Sequence, residues 1–170
     1  MPPEPPQDGL MQSLYDSSLG TMVRESVTLF PWLESIHVLA IATVVGTIVM
    51  VDLRLLGFPA HRRGTRQLIV ELLPFTWLAF ITAVISGSLL FLSNATGYAE
   101  SLPFRLKLVA IFLAGLNMAF FHLNAYRKIG EWDDQLPTPQ GAKIAGLLSL
   151  TLWLAVVFLG RWIGYAYPLV

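Results

Sequence analysis

The sequence predicts an all-α, membrane-spanning antiparallel four-helix bundle preceded by an N-terminal amphipathic interfacial helix. Three observations carry this expectation. Of the 170 residues, 55% are hydrophobic and 13% are charged, about half the charged share of an ordinary soluble domain, so too few charges exist to cover a water-facing surface. Four apolar stretches each approach the ~20 residues that cross a ~30 Å hydrocarbon slab. The positive charges fall unevenly on the segments between them.

Residues 1–9 hold four prolines, two acids and no apolar run. They cannot bury enough surface to fold, and a disordered Pro-rich tail is expected. They carry no basic region followed by an apolar stretch and a small-residue cleavage site, so no removable signal peptide is expected. Over 10–30, Met11, Leu14, Tyr15, Leu19, Met22, Val23, Val27 and Phe30 recur at helical spacing, with Asp16, Ser17, Thr21, Arg24, Glu25 and Thr28 between them. One apolar and one polar stripe describe a surface helix too polar to span a bilayer, and Pro31 is expected to break it. The transmembrane domain covers 31–170, with spans at about 31–56, 72–96, 104–126 and 144–166. Its short connections favour up-and-down order.

Arg54, Arg62, Arg63 and Arg66 flank the first connection, and Arg127, Lys128 and Lys143 the third. The other side carries only Arg24, Arg105, Lys107 and Arg161. This asymmetry places the first and third connections in the cytoplasm of a bacterial inner membrane and both termini in the periplasm. Trp32, Trp77, Tyr98, Trp132, Trp162 and Tyr165 are expected to form aromatic belts at the interfaces. The basic loop Ala60-His61-Arg62-Arg63 is expected to be solvated against anionic lipid.

Composition also excludes chemistry. Without cysteine there is no disulfide, Fe–S cluster, thiolate zinc site or catalytic thiol. With 11 basic and 11 acidic residues there is no basic face for nucleic acid. No phosphate loop, nucleophile elbow or paired-histidine metal helix is present.

Ionisable groups inside a membrane are costly and point to function. His37 and His122 are the candidate cofactor ligands, for b-type haem or copper. Counted from the outer ends of spans one and three, they lie roughly 20 Å apart along the membrane normal. They therefore cannot clamp one haem within a single chain. Two polar clusters accompany them. Glu34 lies near His37 at the level of Arg105, Lys107 and Arg161; Asp52 and Arg54 lie at the level of His122 and Asn124. Asp52 and Arg54 project about 200° apart and should reach different neighbours. Met118 shares a face with His122 as a soft donor or core residue. Ala79, Thr82, Ser86 and Ser93 on span two, Thr43 and Thr47 on span one, and Asn117 and Asn124 on span three read as packing positions. No mid-membrane proline interrupts a span, and Gly46, Gly87 and Gly115 stand singly, unlike the broken helices of transporters.

The run Leu19-Gly20, Arg24-Glu25-Ser26, Phe30-Pro31, Glu34, His37, Gly46 and Asp52-Leu53-Arg54-Leu55-Leu56-Gly57 resembles an uncharacterised family of bacterial four-helix integral membrane proteins. Lys107 and Arg161-Trp162-Ile163-Gly164 extend the likeness over about 150 residues. The histidine of span one and Leu106-Lys107-Leu108-Val109 followed by Gly115 and Asn117 are similar, more weakly, to the copper-resistance D type of membrane protein. The same features resemble the haem-binding membrane protoporphyrinogen oxidases. In those the span-three histidine falls about one turn before His122, where this chain has Asn117 and Met118.

The expected activity is that of a non-catalytic membrane subunit or interaction partner, in a homo-oligomer or larger complex within the lipid bilayer. A haem- or copper-handling redox protein and a small-solute or ion transporter are the alternatives.

Overall fold

The computed structural model describes residues 9–58, 64–133 and 138–166. The expected tail up to Asp8 and the loop around His61 lie outside the described residues. Among the described residues eight α-helices follow in order: α1 Leu10–Tyr15, α2 Ser18–Glu25, α3 Leu29–Leu55, α4 Thr65–Ser93, α5 Ala95–Glu100, α6 Leu102–Leu123, α7 Ile129–Trp132 and α8 Gln140–Ala166. A single 3-10 turn, Tyr126–Lys128, precedes α7, and no strand occurs among the described residues.

Four helical segments, α3, α4, α6 with its continuation, and α8, are long and apolar enough to cross a membrane. Their outward faces are apolar: Leu39 is 69% exposed, Leu78 67% and Phe112 65%. Hydrocarbon is the solvent such faces fit, since contiguous apolar patches of this extent are rare on water-soluble monomers. The chain is a multi-pass membrane protein with an all-α four-helix bundle.

The four long helices stand in the spatial order α4, α3, α8, α6: α3 packs along α4 and α8, and α6 along α8, while α4 and α6 do not pack along each other. Antiparallel neighbours are joined by polar contacts. Thr76 Oγ1 donates to Thr47 Oγ1 at 2.8 Å between α4 and α3. Asn117 Nδ2 donates to the Ala145 carbonyl at 2.9 Å between α6 and α8. Small residues allow the closest approach, as lipid-solvated packing favours. A Cβ on Gly146 of α8 would lie 3.1 Å from Leu55 Cβ and 3.2 Å from the Asp52 carbonyl oxygen on α3.

The end of the bundle that carries α1, α2 and α5 is called proximal here, and the end with α7 distal. At the proximal end α2 lies across α4, and a Cβ on Gly20 would lie 2.8 Å from the Tyr15 carbonyl oxygen and 2.9 Å from that of Leu92. The Arg24 guanidinium sits over the Tyr15 ring at 3.9 Å and donates to the Tyr15 carbonyl at 3.1 Å. Tyr98 of α5 stacks with Phe91 and Phe104, with centroids 5.4 to 6.3 Å apart among the three rings. At the distal end Ile129 and Trp132 close a core cluster with Leu55, Ile69, Phe121, Ala142 and Ala145. There the Asp133 carboxylate accepts from the Thr65 and Arg66 amides, at 2.6 and 2.9 Å. It thus caps α4 from a segment 68 residues further along the chain.

Several local expectations are corrected. The surface helix is two helices, because Ser17 accepts from the Gly20 amide at 3.1 Å and starts α2 afresh, while its hydroxyl donates to the Leu14 carbonyl. Pro31 does not break a helix: it is the third residue of α3, where its missing N–H has no intrahelical partner to lose. The second span begins at Thr65 rather than 72, since Asp133 supplies its cap, and Pro74 consequently lies inside α4. That earlier start also places Trp77 next to Thr76, whose partner Thr47 is in the body of α3, away from the interface. Trp132 is 5% exposed and belongs to the core, not to an aromatic belt.

Candidate functional site

In the distal half of the bundle lies a cavity of about 170 Å³ to which all four long helices contribute. α3 supplies Val44 to Leu55, α4 supplies Ile69 to Phe80, α6 supplies Ile111 to His122, and α8 supplies Ala145, Ser149 and Trp153. The distal cluster around Leu55 and Trp132 packs at one end. A second cluster of Val44, Ala79, Ala110, Ala114, Trp153 and Val156 packs at the other. The remaining side is where α4 and α6 stand apart, and the lining residues Trp77, Gly115 and Met118 there are exposed. The cavity therefore opens sideways, toward the lipid.

Its walls are aromatic and aliphatic, with a few polar groups. Asp52 is 4% exposed, because the close approach of α8 at Gly146 covers its backbone. The Ser149 hydroxyl faces its carboxyl group, yet Oδ2 has no hydrogen-bond partner. A buried carboxyl oxygen without a donor is unfavourable, and inside a membrane such a group points to function. His122 donates Nδ1–H to the Met118 carbonyl at 2.9 Å, which leaves Nε2 with its lone pair. Its ring lies 5.0 Å from that of Tyr126.

A second polar locus lies in the proximal half. His37 Nδ1 is 3.0 Å from Ser86 Oγ, and the Ser86 hydroxyl donates to the Thr82 carbonyl at 2.7 Å. With the serine proton spent on its own helix, the imidazole donates Nδ1–H, and the Ala83 backbone carbonyl also lies within hydrogen-bonding reach of the ring. Gly87 makes room for the ring, since a Cβ there would lie 2.8 Å from Cε1. Lys107 of α6 is close enough to act on His37 electrostatically, and its Nζ lies 3.7 Å from the Cβ position of Gly160 on α8. No hydrogen bond or ion pair to Lys107 occurs among the described residues.

The structure divides the residues singled out in the sequence. His37 and Lys107 lie within electrostatic reach of each other; Asp52, Asn117 and His122 line one cavity. The two loci are about 22 Å apart along α3, from 37 to 52 at 1.5 Å per residue. Arg105 turns outward to the Ala99 carbonyl at 2.6 Å, and Arg161 bonds Tyr165 on its own helix, so neither joins His37. Glu34 is exposed and acts on Tyr98 instead. Arg54 lies half-exposed in the last turn of α3, and Asn124 bonds back to the Phe120 carbonyl. Among the described residues no three His, Asp or Glu side chains gather closely enough to hold a metal ion.

Sequence reasoning passed over Ser149, Gly146 and the aromatic walls Phe80, Phe121 and Trp153, and assigned Trp77 to an interfacial belt. Each looks like ordinary apolar or small-residue packing until the helices are brought together. Only the small-residue stripe on span two pointed to Ser86. No protein-family model, curated protein or solved structure matches the chain.

Proposed function

We propose that this chain is a non-catalytic, membrane-embedded binding protein that takes a small ligand from the bilayer into the cavity between α4 and α6. The observation that carries this reading is the sideways opening of a cavity built by all four spans and packed at both ends. Apolar pockets with a few convergent polar groups are the usual form of a small-molecule site. The cation distribution supports a bacterial inner membrane with both termini periplasmic. The residues from Leu19 to Gly57 support kinship with the uncharacterised family of bacterial four-helix membrane proteins.

Quenching of indole fluorescence by bromobenzene tests the reading, because Trp77 and Trp153 both line the cavity. Saturable quenching that Gly115→Leu weakens is expected. The variant narrows the mouth at a position where an added Cβ meets nothing within 4 Å. Quenching that rises linearly with partitioning, and equally in the variant, would overturn it.

His37 supports a second reading. Its Nδ1 is engaged by Ser86, and an imidazole oriented through one nitrogen ligates iron or copper through the other. Because His122 belongs to the other locus, a second histidine would come from another copy of the chain. An absorption spectrum and metal content of protein purified from its native membrane test this. A Soret band or bound copper lost in His37→Ala and kept in His122→Ala is expected; neither signal in the unaltered protein would remove the reading.

A further inference from the structure

We infer that the cavity selects a small lipophilic cation, such as a substituted ammonium bearing an aromatic or aliphatic group, with Asp52 as its counter-ion. The inference rests on the binding reading above and names the ligand class for that site.

The argument starts from Asp52, which is 4% exposed and presents an Oδ2 that meets no donor. Arg54 is two residues further on the same helix and projects about 200° around it. The Asp52 Oδ2 atom accepts a hydrogen bond from no Lys or Arg. Several donors nearest the cavity are spent in its walls. Thr47 Oγ1 donates to its own helix, and Thr76 Oγ1 to Thr47 or the Leu72 carbonyl. Asn117 Nδ2 bonds the Ala145 carbonyl and His122 Nδ1 the Met118 carbonyl. Among the buried polar atoms of the lining, Asp52 Oδ2 is the one left without a partner. A site whose buried carboxyl group has an unpartnered oxygen favours a cation, which would hold Asp52 in its ionised form.

The rest of the wall decides which cation. Trp77, Phe80, Phe121 and Trp153 offer aromatic rings, whose faces attract an organic cation and bury its carbon. A hard divalent ion would need six or more oxygens, and the polar groups here are too few. A lipophilic cation also reaches the sideways opening by the route the membrane provides.

Isothermal titration of the full chain in zwitterionic nanodiscs tests the inference. The probes are benzyltrimethylammonium and neopentylbenzene, its neutral isostere with carbon in place of nitrogen. The ammonium is expected to bind saturably and the hydrocarbon far more weakly. Asp52→Asn should weaken the ammonium by roughly thirtyfold or more, the usual effect of removing one partner of a buried charge pair, and leave the hydrocarbon unchanged. Equal binding of both probes, or ammonium binding indifferent to Asp52→Asn, overturns the cation assignment and leaves the binding reading standing. Binding of neither probe overturns both. If Asp52→Asn does not fold, the comparison of the two probes on the unaltered protein decides.

Discussion

Replacing Gly87 by alanine should destabilise the bundle, although alanine is the better helix former. The added Cβ would lie 2.8 Å from His37 Cε1 and 3.3 Å from Nδ1, whereas carbon atoms in contact prefer about 3.5 Å or more. Something must therefore move by roughly 0.7 Å. The ring cannot rotate away without losing the bond from Nδ1 to Ser86 Oγ, so α3 and α4 must part or that bond must break. Overpacking of this kind costs about 1–3 kcal/mol, and an interhelical hydrogen bond in a membrane is worth about 0.6 kcal/mol. The helical gain of alanine over glycine offsets about 0.5–1 kcal/mol. The net expectation is a loss of about 1–2 kcal/mol, from the same sources. Equilibrium unfolding in mixed micelles, followed by tryptophan fluorescence, measures it. In a His37→Ala background the clash is gone, and Gly87→Ala should become neutral or stabilising. A destabilisation of the same size in both backgrounds would refute the reasoning, because the effect would then owe nothing to the imidazole.

Three further outcomes follow from the same geometry. Asp133→Ala should cost about 1 kcal/mol, the usual value of a helix cap, and speed amide exchange at Thr65 and Arg66, whose N–H groups it accepts; unchanged exchange there would argue against the cap. Gly20→Ala places a Cβ against the backbone oxygens of Tyr15 and Leu92, which cannot move aside as a side chain can, so α2 should detach and limited proteolysis within 10–28 should accelerate. Burial, and secondarily the Glu34 carboxylate, raises the Tyr98 phenol above its ordinary 10.0. Since the folded state holds this proton more tightly, the Tyr98 contribution is whole below pH 10 and is lost as pH rises through the folded value. Near-ultraviolet phenolate absorbance should show Tyr98 ionising late, and Glu34→Gln should bring it partway back.

The four spans were legible because lipid forces each crossing segment to satisfy its own backbone and present apolar side chains. The separation of His37 from His122 was legible too, since helical rise converts sequence position into depth. The start of α4 was not. Arg66, Gln67 and Glu71 look like a polar connection until Asp133 is seen capping them from the far side of the third span. The cavity was equally hidden, because it arises from how far apart α4 and α6 stand, and no periodicity within either helix encodes that spacing. The intramembrane charges were found, but their grouping by level put Arg105 and Arg161 with His37. Depth alone does not say which way a long side chain turns, and both turn away.

The reach of Asp133 has a bearing on how the protein is made. While the ribosome is still threading α4 and α6 into the membrane, residues beyond 132 have not yet emerged, and the first turn of α4 carries two amides awaiting their acceptor. A nascent or truncated product ending before that point should fray there. The hairpin of the first two crossings thus reaches its final form only after Asp133 has been made, which ties quality control of an early segment to the synthesis of a later one.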